Sequence, residues 1–191
     1  MERMQPVALK EWAVAIRALV EGKQIVLMRK GGIAEETRDF HLKSPSFWLY
    51  PTYEHQKREL LKEEAGAGLD ETLAGWSPQQ TYADIECFAT VEADIEVTSQ
   101  EQLDRIRSTH IWTDRFAEER LKWKRQKPLH VLVLRVHRLD LPVRIPILDA
   151  YSGCTSWIRL EGDFTPGAMK PVLDNEAFKA KAEQIKKLLS V

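Results

Sequence analysis

The chain is predicted to be an α+β domain built on a mixed or antiparallel sheet, curled and partly barrel-like, with flanking helices. Three observations predict this. Apolar and polar residues alternate over Tyr82–Val97, and a long apolar-rich run covers Leu129–Leu139; both patterns mark strands. Helical spacing marks the beginning and the end of the chain. The element order, α-β-(β)-α-β-α-α-β-β-β-α, lacks the regular βαβ alternation of a doubly wound parallel sheet.

The elements follow in order. Leu9, Trp12, Ala13, Ile16, Leu19 and Val20 fall at helical spacing, with Lys10, Glu11 and Arg17 opposite, which predicts a helix over 8–21 ended by Gly22. Gln24 to Arg29 reads as a strand covered on both faces. Gly31-Gly32 marks a turn, and 33–46 reads as a loop. Phe47 to Tyr50 is a short aromatic strand stopped by Pro51. Thr52 is a suitable N-cap for a helix from Tyr53 to about Ala65, ended by Gly66 and Gly68. Residues 67–82 read as a connection with a turn at Trp76-Ser77-Pro78. The strand over 82–97 changes phase near Asp94, which predicts a bulge or break. Ser99 caps a helix over 100–108, and Thr113 caps another over 114–125 whose last turn is basic. After the 129–139 strand, Pro142 and Pro146 bracket a separate extended piece. Gly153 makes a turn before a strand through Trp157, Ile158 and Leu160. Asp174 caps an amphipathic helix over about 175–190, with Phe178, Ala182, Ile185 and Leu189 on one stripe.

At 191 residues, the chain is expected to form a single domain, with 161–191 as a C-terminal extension that holds the last helix. A chain of this length buries roughly 70% of its unfolded surface, so the fold needs neither disulfides nor metal. Net charge is -1, which gives no global attraction to nucleic acid or to an anionic membrane and leaves only local patches to consider. Two cysteines, Cys87 and Cys154, are too few for a secreted disulfide scaffold. The first six residues lack the apolar core of a signal peptide, and no apolar run is long enough to span a membrane. A cytoplasmic location is expected, with no membrane partner.

Several chemistries lack their motifs. The sequence has no G-x-G-x-x-G, no Walker A motif, no G-x-S-x-G and no C-x-x-C. His130 and His137 lie seven apart on one strand and point to opposite faces, so they do not form a ligand pair. His41 and His55, with Glu35, Glu36 or Asp39, form a weak metal candidate; surface or hydrogen-bonded histidines are the plainer reading. The one E-x-K, Glu21-Gly22-Lys23, sits at a helix end with no Asp before it in the chain, which argues against a metal-dependent nuclease centre. No metal and no cofactor is expected.

Four constellations carry the functional reading, each beside a plainer one. Arg29-Lys30-Gly31-Gly32 at a strand end suits a phosphate, or is a turn with solvated charges. Phe47 to Gln56 holds four aromatic residues followed by His55 and Gln56. Strand alternation sends Phe47 and Leu49 inward and turns Trp48 and Tyr50 toward a groove; with Thr52, Tyr53, His55 and Gln56 this suits stacking and edge-reading of a base, or is a core strand with a capped helix. Cys154, Ser156 and Trp157 lie in a turn that offers a nucleophile or simply packs. The basic run Arg115, Arg120, Lys122, Trp123, Lys124, Arg125, Lys127 suits a nucleic-acid backbone, or is a solvated helix face.

Ala8 to Ala13, Leu27 to Ile33, Phe47 to Gln56, His110 to Thr113, Leu134 to Val136 and Gly153 to Trp157 together resemble the bacterial family known as domain of unknown function 1802, over about residues 8–160. That resemblance implies a loose link to restriction–modification and no activity. At the level of fold, the chain is similar to PUA-like nucleic-acid modules. A helix into Gly22-Lys23 and a strand ending in Arg29 is similar to the opening of the ASCH branch, although Leu27 stands where that branch has an acidic residue. Val131 to Val136 followed by Leu139 to Val143 looks like the closing strands of the EVE branch, which is implicated in recognising modified bases. The resemblances imply a nucleic-acid-binding accessory module whose partners are DNA or RNA and other defence-system proteins. Two alternatives stay open: an enzyme, either a metal-dependent nuclease or a small hydrolase using His55, Glu35 or Cys154, and a protein–protein scaffold.

Overall fold

The computed structural model describes residues 5–30, 44–123 and 125–190. Seven strands form one sheet: β1 (Val7–Trp12), β2 (Val26–Arg29), β3 (Ser46–Thr52), β4 (Tyr82–Val97), β5 (Leu129–Pro146), β6 (Trp157–Arg159) and β7 (Met169–Pro171). The pairing order is β2-β5-β4-β3-β1-β6, with β7 added on β5. The β1–β3 pair is parallel and the other pairs are antiparallel, so the sheet is mixed. Helices α1 (Ala13–Val20), α2 (Gly66–Ala74), α3 (Gln100–Arg105), α4 (Asp114–Lys122) and α5 (Asn175–Leu189) flank it. No helix among the described residues is long and apolar enough to cross a membrane.

Strand alternation divides the interior. Leu9, Phe47, Leu49, Ala89, Val131 and Val133 face the larger core, where helical residues such as Ile16, Leu103, Phe116 and Ile185 meet them. Ala8, Trp48, Tyr50, Ile85 and Ile145 face the other way, into a smaller core closed by Tyr151, Ile158 and Leu160. The α5 stripe of Phe178, Ala182, Ile185 and Leu189 is buried in the larger core.

Backbone hydrogen bonds do not close the sheet among the described residues, yet its two ends meet. Arg29, on the terminal strand β2, donates to the Lys10 carbonyl of β1 at 3.1 Å and to the Ser156 hydroxyl just before β6 at 2.7 Å. A side chain thus clasps the curl where a ladder would complete a barrel.

Four local expectations are corrected. Residues 8–12 form a strand, and only 13–20 form a helix. This strand lies between β3 and β6 and is buried on both faces, so its apolar residues lose the period of two and mimic a helix. Pro51 does not stop β3. Beyond Trp48 the strand pairs with β1 alone, and proline is tolerated beside an open edge. Residues 53–65 form no α-helix: Leu61 bridges to Trp112, with Lys62 N–H on the Ile111 carbonyl at 2.8 Å and Thr113 N–H on the Leu60 carbonyl at 3.0 Å. Those tertiary bonds hold the segment as short 3-10 turns, and Gly66 and Gly68 fall inside α2, in the stretch read as a connection. Finally, β5 is one strand through Pro146. Pro142 falls where the pairing of β5 with β4 skips from Arg138 to Val143, so no ladder donor is lost.

Other features agree with expectation. Gly22 follows α1 at φ 72 and Gly153 turns at φ 91, both in the region that glycine favours. Ser99 and Gln102 form a reciprocal capping box, and Thr113 and Asp174 cap α4 and α5. β4 carries two irregularities, one between Val91 and Ala93, near the expected place, and one between Ile85 and Cys87, where none was expected.

Candidate functional site

The ends of β1, β2 and β3, the turn at 151–156, the loop before β4 and the end of α4 surround one cavity of about 490 Å³, within the size range of ligand sites. Of the residues singled out from the sequence, Arg29, Lys30, Tyr50, Thr52, Tyr53, His55, Cys154 and Ser156 line it. Three patches distant in sequence therefore meet. Gly31, Gly32, His41, Glu35, Glu36 and Asp39 lie outside the described residues.

Three expected site residues face elsewhere. Trp48 is 8% exposed and sits in the smaller core, against Phe88 at 4.8 Å and Phe164 at 4.9 Å between ring centres. Alternation places it on the side of the sheet away from Phe47, as expected, but that side is a second core at Trp48. Gln56 accepts the Val14 N–H at 2.8 Å and so satisfies a donor at the start of α1, which has no side-chain cap of its own. Trp157 packs edge-on against Phe47, 5.1 Å between ring centres.

Part of the cavity lining is cationic. Glu11 and Arg29 form a buried ion pair at 3.2 Å, and the other Glu11 oxygen accepts the Trp12 N–H at 2.8 Å. Lys10 Nζ donates to the carbonyls of Tyr151 at 2.7 Å and Gly153 at 2.9 Å. Burial lowers its pKa, Cys154 opposes that shift, and Arg29 adds to it. Lys30 Nζ donates to the Leu121 carbonyl at the end of α4, 2.6 Å away, and burial lowers its pKa as well. Arg120 lies with its guanidinium over the Phe116 ring, 4.9 Å from the centre. Its pKa is pulled down first by burial and then by Arg29, against the pull of Glu11 and Glu119.

Another part of the lining is aromatic. Tyr53 stacks on Trp76, 5.3 Å between centres and nearly coplanar. Tyr50 meets Tyr151 edge-on at 5.6 Å, and burial first, then Tyr151 and Tyr53, push its pKa up to about 12. The Tyr50 phenol therefore remains a donor at neutral pH. Tyr53 is also shifted up, by burial first and then by Glu86. Thr52 donates its hydroxyl to the Glu11 carbonyl at 3.1 Å, and Gln80 donates to the Tyr82 carbonyl at 2.9 Å, so each keeps an acceptor for a ligand.

Sequence reasoning missed Lys10, Glu11, Trp12, Trp76 and Gln80 as lining residues. The first three were hidden by the helical reading of their segment. Arg120 belonged to the basic run but was not singled out from it. Glu21 and Lys23 of the E-x-K pair with each other at 2.6 Å, and Glu21 pairs with Arg17 at 2.8 Å. They line a second cavity of about 280 Å³ between α1, the 62–68 segment and residues 108–111. Among the described residues no group of three or more His, Cys, Asp or Glu is placed to hold a metal.

An open, curled mixed sheet flanked by helices makes this an α+β domain, with a cationic and aromatic cavity at its clasp. The chain belongs to the family described as domain of unknown function (DUF1802), whose model matches residues 8–184 and so takes in most of α5. No curated protein matches it. Among solved structures, ASCH from Zymomonas mobilis is similar at 15% identity, covering 96% of this chain and 95% of its own, with a TM-score of 0.46. A mutant form of the same protein is similar at 14% identity over 81% and 89%, with a TM-score of 0.46.

Proposed function

We propose that the chain is a nucleic-acid-binding module that takes a single unstacked base, flipped or modified, into the 490 Å³ cavity. One observation carries the reading: cations and flat rings line a single concavity. Bases stack on aromatic faces whatever their identity, and phosphate is drawn to cations. Tyr53 and Trp76 supply the platform, while Lys10 and Arg29 stand on the phosphate side. Thr52, His55 and Gln80 offer hydrogen bonds to the base edge, which is where a modification would be read. The net charge of -1 fits a local site rather than a wide basic surface.

The test is binding of single-stranded DNA and RNA oligonucleotides, followed by fluorescence anisotropy across a salt series. Affinity should fall with salt, and Tyr53→Ala or Trp76→Ala should each weaken it by about 1–3 kcal/mol, the usual value of one base–ring stack. Both positions are partly exposed, so the variants should fold. Absence of binding at low salt, or variants that bind like the parent, overturns the reading.

A further inference from the structure

Charge in the cavity is not balanced. Lys10, Arg29, Lys30 and Arg120 line it with two carboxylates, Glu11 and Glu54. Glu11 is ion-paired with Arg29, and Glu54 is exposed. Lys10 and Lys30 use N–H groups on carbonyl oxygens, which neutralise no charge. Arg120 differs from them: among the described residues its guanidinium has no hydrogen-bond partner and only the Phe116 ring beneath it. Arginine does not lose its proton in proteins, so a half-buried guanidinium, repelled by Arg29 and drawn by Glu11 and Glu119 but hydrogen-bonded to none of them, keeps both its charge and its donors. Such an arrangement is held at a cost that an anion removes.

The size of the surplus indicates which anion. A phosphodiester inside a strand brings one negative charge, whereas a terminal phosphomonoester brings about 1.5 to 2 at neutral pH, with three acceptor oxygens. A guanidinium fork donates to two of those oxygens at once. The geometry points to Arg120 as the anchor for a terminal phosphomonoester, which makes the ligand a phosphorylated nucleic-acid end or a mononucleotide rather than an internal position of a strand. This rests on the nucleic-acid reading above and narrows it.

The experiment uses one single-stranded oligonucleotide sequence with a 5′-phosphate, a 3′-phosphate or hydroxyls at both ends, with a nucleoside and its monophosphates as small probes. One phosphorylated end should bind on the order of tenfold tighter than the hydroxyl form, as one added charge-assisted contact implies. Arg120→Gln should abolish that preference and change the melting temperature little, because it removes the repulsion by Arg29 together with the pull of Glu11 and Glu119 and the contact with the Phe116 ring. Tyr53→Ala should weaken all forms alike and keep the preference. Equal affinity for phosphate and hydroxyl ends overturns the assignment and leaves base binding standing. A preference that survives Arg120→Gln overturns the role of Arg120. No binding of any probe removes this inference together with the reading it rests on.

Discussion

Two cavities among the described residues hold similar polar residues and use them differently. The smaller one, about 280 Å³, is lined by Arg17, Glu21, Lys23, Lys62, Glu64 and His110. Its charges are largely answered by the protein itself. Arg17 pairs with Glu21 and Glu71, Lys23 pairs with Glu21, and Lys62 donates to the carbonyls of Arg107 and His110. Its histidine is neutral: burial first, then Lys62, lowers the pKa to about 4. In the larger cavity the cations outnumber their partners, and Arg120 has none that is charged and close. Burying charge is unfavourable unless the charge is matched. Where the chain supplies the match, the polar groups hold elements together; where it does not, the match is left to a ligand.

The sharpest way to break this contrast is at Glu11, the one buried carboxylate among the cations. Glu11→Ala leaves Arg29 uncompensated and orphans the Trp12 N–H, and loss of one partner of a buried pair costs about 3–5 kcal/mol. Chemical denaturation should show the loss. The double variant Glu11→Leu/Arg29→Met should recover part of it, since no buried charge is then left alone in that pair. A single variant that costs under about 1 kcal/mol would mean that the clasp across the curled sheet is ornamental.

The next effect belongs to the smaller cavity and reads as pH dependence. His110 is 5% exposed, and its Nδ1 accepts the Trp112 N–H at 3.1 Å, so the proton of the neutral ring sits on Nε2. In the unfolded chain it titrates near 6.5, and in the folded chain at about 4. Above 6.5 both states are neutral and the stability is whole. As pH falls from about 6.5 to about 4, the unfolded state takes up a proton that the folded state refuses, and about 3 kcal/mol is lost. Stability measured from pH 8 to pH 4 should show this slope, and His110→Asn should flatten it. An unchanged slope would place the titration elsewhere.

How much of this was readable beforehand differs between the two cores. The strands β4 and β5, the caps Ser99, Thr113 and Asp174, and the stripe of α5 all carry local patterns that their surroundings reinforce. β1 was not readable, because a strand buried on both faces shows no alternation and its apolar residues also fit a helix. The 53–65 segment failed for a related reason: hydrogen bonds to Ile111 and Leu60, made across the fold, override local propensity. At the site, residue chemistry singled out Arg29, Tyr50 to His55 and Cys154 to Ser156, but their meeting in one cavity is a product of the fold and not of the local sequence. Trp48 does not join them, since alternation tells which side of a strand a ring takes but not whether that side is a groove or a core. Arg120 was unreadable as special because only three-dimensional packing separates it from its basic neighbours.

The smallest effect tests the smaller cavity from its surface. Glu21 is exposed, and its carboxyl is held below the usual range first by a hydrogen bond from Lys23, against some burial, and then by the charges of Lys23 and Arg17. A folded pKa below the unfolded value gives stability that is whole above the unfolded pKa and is lost as pH falls through the folded one. Because both cations are substantially solvated, Glu21→Gln should cost under about 1 kcal/mol at neutral pH. The variant should also leave nucleotide binding untouched, which Glu11→Leu/Arg29→Met should not. Equal effects on binding from the two would mean that the self-paired cavity and the unpaired one are energetically continuous, and charge pairing would then no longer separate scaffold from site.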